Sequence, residues 1–290
     1  MKLSKGEKVF LCFNYIILGL IALVMLYPIV YVFSASVSSP WALETGQVLL
    51  WPKGIRFDSY LQVLGNSEIW AAYANSVFYT VVGTAFNLFF TISGAYPLSK
   101  KNFSGRPVIT FFVVLSMWFS AGIIPTYLNI RDLGLYDTRM AILIAFACSA
   151  FNLILLRSYF ESIPRSLEEA AHIDGAGDFK VLTHIYLPMS GAALATIGLF
   201  YAVSRWNGYF WAMVLLNDSS KIPLQVLLKT LIVESSSTDE FANFVTQETA
   251  VSNDTIIYTT IVVAMVPMLL VYPYIQKFFV KGVTLGAVKG

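Results

Sequence analysis

Residues 9–43 read VFLCFNYIILGLIALVMLYPIVYVFSASVSSPWAL, 35 positions without one charged side chain. A bilayer core about 30 Å thick is crossed by roughly 20 mostly apolar residues in a helix, so 10–36 reads as a membrane span. Residues 69–99 are again free of charge, and 107–130, 140–156, 189–216 and 256–279 supply four more apolar runs, the fifth of the six interrupted by Arg205. The fold class expected is all-α, a polytopic membrane protein with six transmembrane helices. No water-soluble domain fits between them.

Composition agrees. Of 290 residues 57% are hydrophobic and only 12% charged, about half the charged fraction of a soluble domain. Too few charges remain to cover a water-facing surface, which excludes an ordinary cytosolic enzyme, a disordered chain and a nucleic-acid binder. The two cysteines, Cys12 and Cys148, lie inside apolar runs and imply neither a disulfide framework nor a metal site. Lys2, Lys5 and Lys8 followed by an apolar run, with Ser34-Ala35-Ser36 as a weak cleavage site, resemble a signal peptide. The run exceeds the usual 7–15 residues of such a segment, so it is read as a retained helix.

An even number of spans puts both termini on one side. That side, with the 100–106 and 157–188 loops and counting Lys277 at the end of the sixth run, holds twelve Lys/Arg against six opposite, and the positive excess marks the cytoplasm. The opposite 217–254 loop is acidic, with Asp218, Glu234, Asp239, Glu240, Glu248 and Asp254. No repeat or linker divides 1–290, which reads as a single transmembrane domain.

The 157–188 loop runs against the charge trend, with Glu168, Glu169, Asp174 and Asp178 on its expected outer edge. Ser166 and Glu169 have capping-box spacing, predicting a helix from Leu167 to Asp174. Gly175 then turns the chain, and after Gly177 the side chain of Asp178 caps a second helix from Phe179 to Tyr186. With apolar Leu167, Ala170, Ala171 and Ile173, the segment reads as a docking knob for a soluble partner rather than a solvated loop.

Glu169-Ala170-Ala171, Gly175 four residues on, and Ile185-x-Leu187-Pro188 together resemble the E-A-A-x3-G-x9-I-x-L-P signature of ABC importer permeases. Asn75-Ser76, Gly94-Ala95-Tyr96-x-Leu98-Ser99, Phe103-x-Gly105-Arg106, Trp206-Asn207 and Pro223-Leu224 are similar to its carbohydrate-uptake branch. The ending Gly286-Ala287-Val288-Lys289-Gly290 resembles the tail of the smaller permease of maltose-type importers. The resemblance implies the type I ABC importer permease fold in a bacterial inner or plasma membrane. It implies four partners: a second homologous permease, a cytoplasmic ATPase dimer, an extracytoplasmic solute-binding protein and an oligosaccharide substrate. Glu169 would then pair with a basic residue in the ATPase cleft, Ala170 and Ala171 permit close approach, and Lys289-Gly290 reach between the ATPase subunits. The 217–254 loop would reach into the binding protein. The sequence has no G-x-x-x-x-G-K-[ST] loop to cradle a phosphate. No cofactor is therefore expected on this chain, ATP and magnesium belonging to the partner ATPase.

Substrate-path candidates are aromatic and amide side chains suited to sugar faces: Trp206, Asn207, Tyr209 and Trp211, then Trp118 and Asn152. Interfacial-belt or packing roles stand beside that reading. Arg205, costly inside a membrane unless paired, meets either a uronate carboxylate or an acidic residue of the partner permease. His172 and His184 are twelve apart without flanking ligands, so no metal is expected, and Lys100, Lys101 and Arg106 read as positive-inside anchors. The rivals are an importer of a non-sugar solute, an ion-coupled carrier and a membrane scaffold. No Asp or Glu falls inside the proposed spans, which leaves a carrier without a proton or sodium relay.

Overall fold

The computed structural model describes residues 4–237 and 252–287, and the described residues contain helices and no strand. Helix α1 (Lys5–Ser36) starts at a capping box, with Ser4 Oγ accepting from the Glu7 amide at 3.2 Å and Glu7 Oε2 accepting from the Ser4 amide at 2.6 Å. Short helices α2 (Pro40–Glu44) and α3 (Asp58–Gly65) lead to α4 (Ser67–Ser99). Then come α5 (Arg106–Trp118), α6 (Ile123–Asp132), α7 (Arg139–Ile144), α8 (Ala150–Ser162) and α9 (Arg165–Ile173). Helix α10 (Asp178–Met189) widens into a π turn at Leu182–Tyr186 just before Pro188, whose ring cannot pack against an ordinary preceding turn. An 83° bend separates it from α11 (Gly191–Asn207), followed by α12 (Phe210–Leu215), α13 (Leu224–Ser237) and α14 (Asn253–Ala287).

Among the described residues three helices are long and apolar enough to cross a membrane unbroken: α1, α4 and α14 through Pro273. The other three expected spans are not continuous helices. The 107–130 run breaks between α5 and α6, 140–156 between α7 and α8, and 189–216 between α11 and α12. A window of apolar residues reports burial but not backbone continuity, and each break needs its own partners for the freed peptide groups.

Packing divides the chain into two units. Residues 1–70 and 228–267 form the first. Its centre is a hydroxyl knot: the Ser36 carbonyl accepts from Ser59 Oγ at 3.3 Å and Thr259 Oγ1 at 3.2 Å, and Ser36 Oγ lies 2.8 Å from Tyr60 Oη. Ser34-Ala35-Ser36 is buried in it beside Ala42, Leu43 and Val48.

Residues 71–227 and 268–290 form the second. One apolar core gathers Ala95, Tyr96, Leu153, Leu156, Phe160, Tyr186 and Ile197; another gathers Tyr79, Ile130, Ile142, Leu143, Leu215 and Val226. Helix α4 passes through both. Along it runs a buried polar stripe of Asn75, Ser76, Asn87 and Thr91, spaced to recur on one helical face. Its amides bond backbone carbonyls of residues 220–222 and 146–147, Ser76 Oγ accepts from the Leu224 amide at 2.8 Å, and Thr91 Oγ1 lies 2.7 Å from Tyr201 Oη.

Candidate functional site

The expected docking knob is a helical elbow made of α9 and α10. Its capping differs from the sequence reading. Pro164 is the N-cap, the helix starts at Arg165, and neither a Ser166 nor an Asp178 side-chain cap forms. Pro164 sets the start by backbone alone, its carbonyl accepting from the Leu167 amide at 3.3 Å. Gly177 takes the N-cap of α10 and puts Asp178 one position inside the helix.

The turn forms as expected. Gly175 stands at φ +79°, its amide bonds the His172 carbonyl at 3.0 Å, and the Ala176 amide bonds the Ala171 carbonyl at 2.9 Å. These two bonds close a Schellman motif, which only a residue free of a Cβ enters without strain. The Asp174 amide bonds the Ala170 carbonyl at 3.0 Å, and His172 Nδ1 donates to the Ala176 carbonyl at 2.9 Å.

The two glutamates of α9 point different ways. Glu169 is exposed with Ser166, Ala170, Asp174 and the apolar Leu167 and Ile173, while Ala171 is half-buried against the core. Glu168, expected on the outer edge, turns inward. Its Oε1 lies 2.7 Å from Lys100 Nζ and its Oε2 accepts from Tyr186 Oη at 2.7 Å, each charged side chain being 19% exposed. The Lys100 ammonium also sits over the Tyr96 and Tyr186 rings, 4.3 and 4.0 Å from their centroids. Burial would raise the Glu168 carboxyl, but bonds from Lys100 and Tyr186 hold it below the usual range. Lys100 is thus a charged partner of the elbow.

Around this pair an open cleft of about 1290 Å³ is lined by Lys101, Arg106, Glu161, Arg165 and His172 among others. Arg106 and Arg157 both bond Glu161, the latter at 2.9 Å, tying α5 to α8. Glu168, His172 and Asp178 approach one another within 4.8 Å. Glu168 is already neutralised by Lys100, so the trio cross-links the elbow.

Within this chain Arg205 is bonded to an amide and to backbone carbonyls. Its guanidinium donates to Asn87 Oδ1 at 2.9 Å, to the carbonyls of Leu143 at 3.2 Å and Phe146 at 3.0 Å, and to that of Ile142. Asn87 adds bonds from its own amide to the Phe146 and Ala147 carbonyls at 2.7 and 2.8 Å. These are the peptide groups freed by the break between α7 and α8, so within this chain the arginine is a clamp on unwound backbone. Gly83 makes room for it: a Cβ there would stand 3.1 Å from Arg205 Nε.

Trp206 is buried edge-on to Tyr73 at 5.9 Å; Trp211 packs on Phe146 at 5.2 Å. Asn207 and Tyr209 are exposed, Trp118 is 82% exposed on this chain, and Asn152 is buried on α8. Lys289, Gly290 and residues 238–251 of the acidic loop lie outside the described residues. Sequence reasoning missed Tyr96, Tyr186 and Asn87 as members of these networks. The signal available was an amide deep inside an apolar run and a tyrosine one helical turn before the lysine that ends it.

The sequence pattern of the family described as "Binding-protein-dependent transport system inner membrane component" matches residues 69–285. Protein LplC of Bacillus subtilis (strain 168) is 40% identical over 99% of this chain and 97% of its own length. The polygalacturonan/rhamnogalacturonan transport system permease protein YtcP of the same organism is 42% identical, over 93% of this chain and 94% of its own. A chain in the crystal structure of a bacterial ABC transporter involved in the import of the acidic polysaccharide alginate superposes with a TM-score of 0.89. It is 49% identical, over 96% of this chain and 99% of that one. With a knob-bearing helical fold and these likenesses together, the chain belongs to the family of binding-protein-dependent transport system inner membrane components.

Proposed function

We propose that this chain is one of two permease subunits of an ATP-driven importer that passes an acidic oligosaccharide from an extracytoplasmic binding protein into the cytoplasm. The observation that carries the reading is the elbow. Its Gly175 turn is closed by paired backbone bonds, its inner face is anchored by Glu168, and its outer face leaves Glu169, Ala170 and Ile173 exposed. An anchored element with a free outer face suits docking of a separate ATPase, whose closure moves the elbow as a rigid body. Six crossings with both termini cytoplasmic put the elbow on the ATPase side, three of those crossings running through the breaks. ATP and magnesium are handled on the partner. The acidic class of sugar follows from the alginate importer and the polygalacturonan permease to which the chain is similar.

The test is ATPase activity of the complex of this chain, its partner permease and the ATPase, with purified binding protein and a panel of uronate and neutral oligosaccharides. Uronate-loaded binding protein is expected to stimulate hydrolysis, and Glu169→Lys to abolish that stimulation or release the ATPase. Uptake driven by an ion gradient without ATP would overturn the reading.

A further inference from the structure

Within the elbow the outer docking face is one matter, and the route by which its motion leaves is another. Helix α9 is joined to α4 in the covalent chain only through α5 to α8. The side chains supply a shortcut. Lys100 follows directly on Ser99, the last residue of α4, and its amide bonds the Pro97 carbonyl at 3.1 Å. Its ammonium then reaches Glu168 of α9 at 2.7 Å. Tyr96, one turn back on α4, donates to the Asp178 carbonyl at the start of α10 at 3.1 Å. Tyr186 of α10 completes the knot by donating to Glu168 and standing edge-on to Tyr96 at 5.2 Å.

We infer that Lys100, caged by Tyr96 and Tyr186 and paired with Glu168, is the positioning residue that fastens the docking elbow to α4 and so couples ATP-driven motion to the transport path. The inference rests on the importer reading and names a residue outside the docking loop.

Three features make the joint suited to carry force. An exposed ion pair between long side chains is loose and contributes little. This one is four-fifths buried, so separating the charges strands one of them away from water. Two ring faces hold the ammonium in addition to the carboxylate, which fixes its position on both sides. The far half of α4, through Asn87 and Asn75, holds the break between α7 and α8 and the backbone of residues 220–222. A push received at Lys100 therefore acts on the helix to which the irregular segments of the second unit are bonded.

The test uses the complete complex in proteoliposomes with loaded binding protein, reading sugar imported per ATP hydrolysed. The variants are Lys100→Met, Glu168→Gln, the double variant and Lys100→Arg. Each single loss of charge is expected to cut sugar per ATP by about 5-fold or more. The double variant should be no worse than the worse single, because both remove one shared interaction, and Lys100→Arg should restore most of the loss. If Lys100→Met does not assemble, Glu168→Gln decides the matter, since it keeps the shape and the acceptor for Tyr186. A ratio within twofold of wild type in the variants, or a double loss equal to the product of the singles, overturns the inference. If wild type itself shows no ATP-driven uptake, it is the importer reading that fails.

Discussion

At the scale of single residues, Arg205 shows where a charge inside an apolar run finds its partners. The sequence marks it as costly and leaves two readings open, a sugar carboxylate or an acidic partner. It has neither within this chain; its donors go to Asn87 and to three peptide carbonyls. Arg205→Met leaves those carbonyls short of donors, at about 1–3 kcal/mol for each buried group left unsatisfied. We expect the purified complex to lose several degrees of thermal stability, with Arg205→Lys intermediate because one ammonium cannot span the same acceptors. Uptake of acidic and neutral sugars should fall in the same proportion. A selective loss of acidic cargo in a complex of normal stability would return the arginine to the substrate path. The charge was legible in the sequence; the partners were not, because backbone carbonyls freed by a helix break leave no trace in residue types.

At the scale of elements, the loop joining α12 to α13 is held by a charged latch. Asp137, at φ +54°, accepts from the Asn217 and Asp218 amides at 3.0 and 3.1 Å, and Lys221 Nζ lies 3.1 Å from Asp218 and 3.6 Å from Asp137. Those backbone bonds hold the Asp137 carboxyl below its ordinary value, and bonds from Ser220 and Lys221 hold that of Asp218 down to about 2. A carboxyl depressed in the folded state stabilises fully above its unfolded value, near 3.9, and stops doing so as pH falls through the folded value. The difference in thermal midpoint between wild type and Asp137→Asn, a residue that tolerates the same φ, should be constant from pH 8 to about 5. It should shrink only in stronger acid. Shrinkage already between pH 8 and 5 would show that another group sets it. Elements closed by local chemistry were the most legible. Gly175 could be placed at a turn from its position alone. Capping was less so, since Pro164 and Gly177 take the N-cap positions and neither a Ser166 nor an Asp178 side-chain cap forms.

At the scale of the molecule, hydropathy picked out the three long apolar helices among the described residues and the apolar runs of the other expected spans, yet gave no sign that α5–α6, α7–α8 and α11–α12 are broken. The reason is physical: an unwound turn survives in an apolar setting when a distant residue bonds its peptide groups, and that residue sits elsewhere in the chain. In the second unit much of that duty falls to α4. Asn75 donates to the Ser220 and Ile222 carbonyls at 2.8 and 3.1 Å, and Tyr79 to that of Lys221 at 2.9 Å. Asn87 serves the α7–α8 break, and Thr91 Oγ1 lies 2.7 Å from Tyr201 Oη, which accepts from the Ser149 amide at 3.0 Å. These pins are separate contacts on one rod, and double-variant cycles distinguish that arrangement from a single cooperative network. Asn75 and Asn87 stand about 18 Å apart along the helix axis at 1.5 Å per residue, and their amides donate to different carbonyls. The stability losses of Asn75→Ala and Asn87→Ala should therefore add to within about 0.5 kcal/mol. Asn87→Ala and Arg205→Met should not add, because the Asn87–Arg205 bond at 2.9 Å and the Phe146 carbonyl belong to both. Thermal midpoints of the singles and doubles, measured on the assembled complex, decide it. Strong coupling between Asn75 and Asn87 would mean that α4 responds along its length as one cooperative body, and independence of Asn87 and Arg205 would dissolve the clamp.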